Sequence, residues 1–164
     1  MKEFIENYRK GIGLLNYATS GLSTEDLLKT PGPGDWNTNQ VVLHITDTEL
    51  LFTERMKRVL TEKEPSLIKA DESEWAKKFF YSEQSAGESA VLFDLNRKST
   101  VFILDRLEDS EFEKIGIHSS RGPQTLRQIV ELCSTHLDSH LKFIYEKRAR
   151  MGKPITEKYS RTNA

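Results

Sequence analysis

The sequence predicts an all-α fold, a four-helix bundle, from three observations. Four stretches repeat apolar residues at helical spacing, no stretch alternates apolar and polar residues convincingly, and no internal repeat divides the chain. With 164 residues the chain has the length of one domain, enough to bury roughly two thirds of its unfolded surface in a single core.

The first helix is expected over residues 2 to about 20, where Phe4, Ile5, Tyr8, Ile12 and Leu15 share a face and Gly11 and Gly13 weaken the middle. Ser23-Thr24-Glu25-Asp26 reads as a short capped turn, and Pro31-Gly32-Pro33-Gly34 stops any helix that follows. Thr38 or Asn39 caps a second helix to about residue 61, with Val41, His44, Thr48, Leu51, Arg55 and Val59 along one seam and Val42, Ile45 and Phe52 beside it. Residues 62 to about 83 show no sustained period and hold Pro65 and the aromatic group Trp75, Phe79, Phe80 and Tyr81. They read as a long crossover, which permits the flanking helices to run parallel.

A third helix over residues 85–107 offers Val91, Leu92, Leu95, Val101, Phe102, Leu104 and Leu107 as its apolar face. An acidic loop follows, with room for short strands near residues 115–119. Thr125 then caps the last helix, which turns Leu126, Ile129, Leu132, Cys133, His136, Leu137, His140 and Ile144 inward until Gly152 and Pro154 end it. The bundle domain is thus residues 1–152. Residues 153–164 form a charged C-terminal extension, expected to be frayed or ordered by a partner.

The 24 Lys and Arg nearly cancel the 25 Asp and Glu, and no segment concentrates one sign, so nucleic acid is not an expected partner. No run approaches the roughly 18 apolar residues of a membrane span. Cys133 is the only cysteine and has no internal disulfide partner, so the expected location is the cytoplasm.

His136 and His140 stand four residues apart, on one helical face about one turn from each other. That spacing suits one shared metal, although His136-Leu137-Asp138-Ser139-His140 lacks the glutamate of the helical zinc-protease motif. A third ligand comes from elsewhere: His44 on the apolar seam is the stronger candidate and His118 in a loop the weaker. A lone inward histidine is usually a hydrogen-bonded core residue, but a pair with a third on another inward face points to a divalent ion. Three neutral imidazoles suit zinc or nickel and leave open coordination positions, as catalytic sites do.

The stretch Gly34-Asp35-Trp36-Asn37-Thr38-Asn39-Gln40-Val41-Val42-Leu43-His44-Ile45-Thr46-Asp47, followed by the helical His136 and His140, resembles the DinB superfamily. Arg55, Leu60-Thr61-Glu62, Pro65, Asp71-Glu72 and Trp75-Ala76 look like its branch of bacillithiol S-transferases and YfiT-type metal-dependent hydrolases. The resemblance implies an up-down-down-up bundle and a metal held by His44, His136 and His140. It also implies thiol transfer, in which a low-molecular-weight thiol is held as a thiolate and attacks an electrophile. Hydrolysis by activated water is the alternative enzyme, and a non-catalytic metal-stabilised stress-response module the alternative to both. A small-molecule substrate is the expected partner, with a homodimer through an exposed bundle face accompanying the non-catalytic reading.

Other residues carry weaker expectations. Asp47 is a candidate to orient an imidazole or accept a proton, against the ordinary role of a surface carboxylate, and Thr48 to hydrogen-bond near the metal or fill the seam. Arg55 and Arg121 are candidates to bind a carboxylate-bearing thiol, and Trp36 to wall the substrate site. Cys133 reads as a buried hydrophobe, and Trp75 with Phe79 to Tyr81 as a cap on the opening.

Overall fold

In the computed structural model of the chain, which describes residues 2–30, 32 and 35–161, Asn37 opens α4 (Thr38–Thr61) with a capping box. Its side chain accepts from Gln40 N at 2.8 Å, and Gln40 Oε1 accepts from Asn37 N at 3.0 Å. The cap therefore lies one residue before the expected one. The same reciprocal pair, Thr125 with Gln128, starts α7 (Leu126–Arg150) at the expected place. Gly152, at φ 70°, ends α7 in the left-handed conformation that favours glycine. Pro31, Pro33 and Gly34 of the expected breaker lie outside the described residues.

The first helix is two pieces, α1 (Glu3–Lys10) and α2 (Leu14–Thr19), followed by the short α3 (Thr24–Leu28), capped by Ser23. Gly13, at φ 85°, makes the break, and its N–H donates to Asp94 Oδ1 at 2.8 Å. Gly11 has a different reason to lack a side chain: a Cβ there would stand 1.9 Å from Arg97 Nη1.

The third long helix, α6 (Ala86–Leu104), corrects the expected apolar face. Val91, Leu92, Leu95 and Phe102 are exposed, while Ala86, Ser89, Ala90, Phe93, Arg97, Thr100, Val101 and Leu104 point inward. Small and polar residues win this face because α6 lies close against α4, where polar groups find partners. Thr46 Oγ1 donates to Ser89 O at 3.2 Å, Asn96 Nδ2 donates to Thr53 Oγ1 at 2.8 Å, and the Thr53 and Thr100 hydroxyls lie 3.4 Å apart.

These contacts also set the topology. The start of α4 meets the start of α6, where Asn39 Oδ1 accepts from Ala86 N at 3.0 Å, and Thr53 lies beside Thr100 further along, so the two helices are parallel. Arg9 pairs with Asp105 while Gly13 meets Asp94, so the α1–α2 arm runs against α6. The first half of α4 (Val41, Val42, Ile45) packs with the second half of α7 (Leu137, Leu141, Ile144), and its second half (Phe52, Met56, Val59) with the first half of α7 (Leu126, Ile129, Val130). The order is up-down-down-up.

The crossover between α4 and α6 is not featureless. It holds β1 (Ser66–Leu67) and α5 (Glu72–Lys78), a helix too short to show a sustained period. β1 pairs in parallel with β2 (Ile115–His118), which pairs antiparallel with β3 (Gly122–Thr125), Pro123 falling on the outer strand. Gly116 lets β2 press on the bundle, since a Cβ there would meet Leu67 Cδ1 at 2.8 Å and Val59 Cγ2 at 2.9 Å.

The tail is tied down as far as Arg161 rather than frayed. Ile155 and Tyr159 pack on the core, Ser160 N and Arg161 Nε donate to the buried Asp138 at 2.7 and 2.9 Å, and Tyr145 Oη donates to Lys158 O at 2.9 Å. Among the described residues no helix is long and apolar enough to cross a membrane.

Candidate metal centre

α4 and α7 run antiparallel, and their histidines meet at the level where the two apolar clusters of the core adjoin. His44 follows Val41 and Val42 of one cluster, and His136 sits between Cys133 of the other and Leu137 of the first. His44 Nε2 lies 3.1 Å from His136 Nε2 and 3.1 Å from His140 Nε2. The three nitrogens form a compact group able to hold one ion. Metal–nitrogen bonds of about 2.0–2.1 Å span such a separation at an angle of roughly 95–100°.

Hydrogen bonding alone does not satisfy this arrangement. His44 Nε2 has one in-plane direction, occupied by a single N–H or a single lone pair, yet it faces two nitrogens, so it cannot aim a full hydrogen bond at both. A cation at the centre uses all three lone pairs. For His44 to offer that lone pair its proton must sit on Nδ1, where Thr48 Oγ1 lies 3.4 Å away as acceptor. His140 Nδ1 is buried without a partner among the described residues.

Burial holds His44 and His140 down to about 4 and His136 down to about 2, the last pushed further by the charges of His140 and His44. Neutral imidazoles, the form a metal takes, therefore persist well below neutral pH. The folded state also takes up these protons later than the unfolded chain, whose histidines titrate near 6.5. Above that pH the three are neutral in both states and their titration costs nothing. As pH falls from there toward 4, the unfolded chain binds these protons and the metal-free fold does not, so its stability falls progressively. Urea midpoints of metal-free protein should thus fall steeply between about pH 6 and pH 4; a flat profile there would contradict neutral burial.

Glu72, to which no role was assigned from the sequence, is the nearest carboxylate, with Oε2 3.9 Å from His44 Nε2 and the side chain 48% exposed. Its helix α5 is capped by Asp71, and Ala76 joins Leu43 and Tyr81 in a small apolar cluster bordered by Trp36 and Trp75. That docking carries Glu72 to the histidines. The Asp71-x-x-Glu74 cap spacing was the available signal for α5.

The other expected residues divide. Thr48 is at the centre, and the Trp36 ring stands 5.1 Å from the His44 ring, with Phe52 5.8 Å from His136 and the exposed Phe143 5.9 Å from His140. Asp47 instead accepts from Tyr81 Oη at 2.5 Å, a bond that fixes the end of the crossover. Trp75 and Phe79 stack at 5.8 Å, Phe80 is exposed, and Tyr81 is fully buried. Cys133 is fully buried, burial pushes its thiol pKa up, and Sγ donates to Ile129 O at 3.2 Å, the behaviour of a small hydrophobe. His118 lies in β2 outside the three-histidine group, and its Nδ1 accepts from Ser120 N at 3.2 Å.

An up-down-down-up bundle with three histidines from two antiparallel helices converging inside it defines a class of helical protein able to hold one divalent ion. The DinB superfamily profile matches residues 8–144, and the chain belongs to that family. A protein of Bacillus licheniformis, named a proposed metal-dependent hydrolase, is 28% identical over 153 residues, covering 93% of this chain and 87% of its own. A like-named protein of Halalkalibacterium halodurans is 29% identical over 136 residues, 83% of this chain and 79% of its own. Among solved structures, YfiT from Bacillus subtilis, described as a metal-dependent hydrolase candidate with an unusual four-helix bundle topology, superposes with TM-score 0.85. It is 25% identical and covers 91% of this chain and 86% of its own. A DinB-like protein of the same organism shares the fold at TM-score 0.66 and 16% identity, covering 96% of this chain and 98% of its own.

Proposed function

We propose that the chain is a metal-dependent hydrolase of a small molecule, with His44, His136 and His140 as ligands and Glu72 as the proton acceptor. The observation that carries this reading is the approach of His44 Nε2 to two imidazole nitrogens at 3.1 Å each, a geometry that suits a shared cation better than a pair of well-aimed hydrogen bonds. The names borne by the relatives point the same way. Zinc and nickel suit an all-imidazole set. A divalent ion held there supplies Lewis acidity, which brings the pKa of a small nucleophile into the neutral range.

The protein's own groups supply the rest. Thr48 holds the His44 ring by accepting from Nδ1–H, and Trp36, Phe52 and Phe143 flank the three imidazoles and limit access of bulk water. Glu72, at the edge of the centre, takes the proton of the attacking group on its carboxylate. Thiol transfer is the second reading, favoured by the charges of Arg55 and Arg121 near the centre, which suit a carboxylate-bearing thiol.

The test is a screen of small esters, amides and lactones with metal-loaded protein, with and without cysteine as an added thiol. Turnover should need no thiol, and Glu72→Gln should lower kcat about 10²–10⁴-fold at unchanged metal content. Turnover that appears only with thiol would establish the second reading, and wild-type turnover in Glu72→Gln would remove the carboxylate from the mechanism.

A further inference from the structure

Beside the histidine centre the fold gathers positive charge and, among the described residues, sets no carboxylate in direct contact with it. Arg55, on α4, is only 4% exposed, and Nη2 donates to Ile68 O at 2.5 Å. Its Nε is buried without an acceptor among the described residues. The β1–β2 pairing sets Leu67 opposite His118, and Lys69 N donates to Ser119 Oγ at 3.0 Å, which brings the chain after β1 onto the end of the β2–β3 hairpin. Arg121 stands on that hairpin, just before Gly122. His118 is 2% exposed, and because its Nδ1 accepts from Ser120 N, its proton sits on Nε2 as a donor.

Among the described residues no carboxylate comes within 4.0 Å of Arg55, Lys69, Arg121 or His118, although ten ion pairs of Lys or Arg with Asp or Glu form elsewhere. The consequence is mutual repulsion. Burial first and Arg121 next depress the Arg55 pKa, against smaller opposing effects of Glu54 and Glu72; burial, then Arg55, Arg121 and Lys69, depress that of His118. The cluster and the centre are neighbours, since the Arg55 guanidinium lies 5.7 Å from the Phe52 ring and that ring 5.8 Å from the His136 ring. A buried guanidinium without an anionic partner is costly, and surface charge that repels it raises that cost.

We propose that Arg55, His118 and Arg121 form an oxyanion subsite that takes a carboxylate or phosphate group of the substrate and sets its reacting bond over the histidine centre. The proposal rests on the metal-centre reading for the role of the subsite, but not for its existence. Arg121 supplies a planar fork of donors at the rim, His118 a single N–H, and Arg55 the fixed charge beneath them. Substrates of this enzyme are therefore small anions, and neutral analogues of the same shape bind poorly because they leave the cluster unpaired.

The test is calorimetric titration of metal-loaded protein with three probes: succinate, inorganic phosphate and neutral succinamide. One or both anions should bind, succinamide should not, and Arg121→Ala should weaken anion binding roughly tenfold or more. Lys98→Ala, an exposed charge on α6, should leave it unchanged. Because Arg55→Ala threatens the fold, Arg55→Lys and His118→Gln serve for the buried positions, each expected to weaken binding with the folded state checked by circular dichroism. Succinate binding alone identifies a carboxylate site, and phosphate binding alone a phosphate site. Anion binding should survive in a His136→Ala, His140→Ala variant; its loss there would show that the ion at the centre, not the arginines, holds the anion and would overturn the proposal. So would equal affinity of Arg121→Ala and wild type, or no anion binding at all. Metal content measured on the same samples separates failure of the subsite from failure of the metal centre.

Discussion

Arg97→Met is expected to cost the fold about 3–5 kcal/mol, the effect of stranding one partner of a buried ion pair. Arg97 is fully buried, and Nη2 lies 2.9 Å from Glu49 Oε2, with side-chain exposures of 0% and 2%. The same guanidinium donates to Tyr8 O at 2.9 Å and to Cys133 O at 3.1 Å, and its plane lies over the rings of Tyr8 and Phe93. One side chain from α6 therefore binds α1, α4 and α7 together, in the layer next to the histidines. Methionine fills similar space but leaves Glu49 charged and unpaired and takes the interhelical donor from the Tyr8 and Cys133 carbonyls. Adding Glu49→Leu to Arg97→Met should recover much of the loss, because a matched apolar replacement removes the stranded charge. Gly11→Ala should be damaging for the same reason, since its Cβ would collide with Arg97 Nη1 and lie 2.8 Å from Leu137 Cδ2. Urea unfolding of the three variants measures this; a shift under about 1 kcal/mol for Arg97→Met would show that the pair does not organise the bundle.

Removing either α7 histidine should weaken metal affinity by more than about 100-fold, since loss of an outer partner of a ligating histidine already costs about 10–100-fold. The reason is geometric. His136 and His140 each present Nε2 to the same nitrogen of His44, and no fourth histidine stands ready, because His118 is engaged with Ser120 in the sheet. Thr48→Val should be milder, within the outer-partner range, since it removes only the hydroxyl beside His44 Nδ1. Competition titration with a chelating dye gives these ratios. If His140→Ala bound as tightly as wild type, the three nitrogens would not share one ion.

The parts of this molecule that were legible in the sequence are those where one residue type at one spacing has few alternatives. The caps of α3 and α7 follow from polar side chains with a partner three residues on, whereas that of α4, expected at Thr38 or Asn39, falls on Asn37. The pair His136 and His140 follows from the helical turn. Choosing His44 over His118 took the family resemblance, and the structure supplies the physical difference between a helix seam facing α7 and a strand facing Ser120.

The face of α6 was not legible because hydrophobicity favoured Val91, Leu92, Leu95 and Phe102, while the close parallel approach to α4 selects Ala90, Ser89 and Thr100. Glu49 and Arg97 were invisible because each alone reads as a surface charge, and only their pairing allows both inside. Glu72 escaped for a third reason: its position depends on α5, a seven-residue helix held by Ala76 and its neighbours rather than by its own period.

The most direct measurement of the central claim is elemental analysis of protein purified without an affinity tag, beside the His136→Ala, His140→Ala double variant. A shared centre predicts one equivalent of a divalent transition metal in the wild type and none in a double variant that is still folded. Equal metal in the two proteins, or none in a wild type dialysed against zinc and nickel, would contradict it.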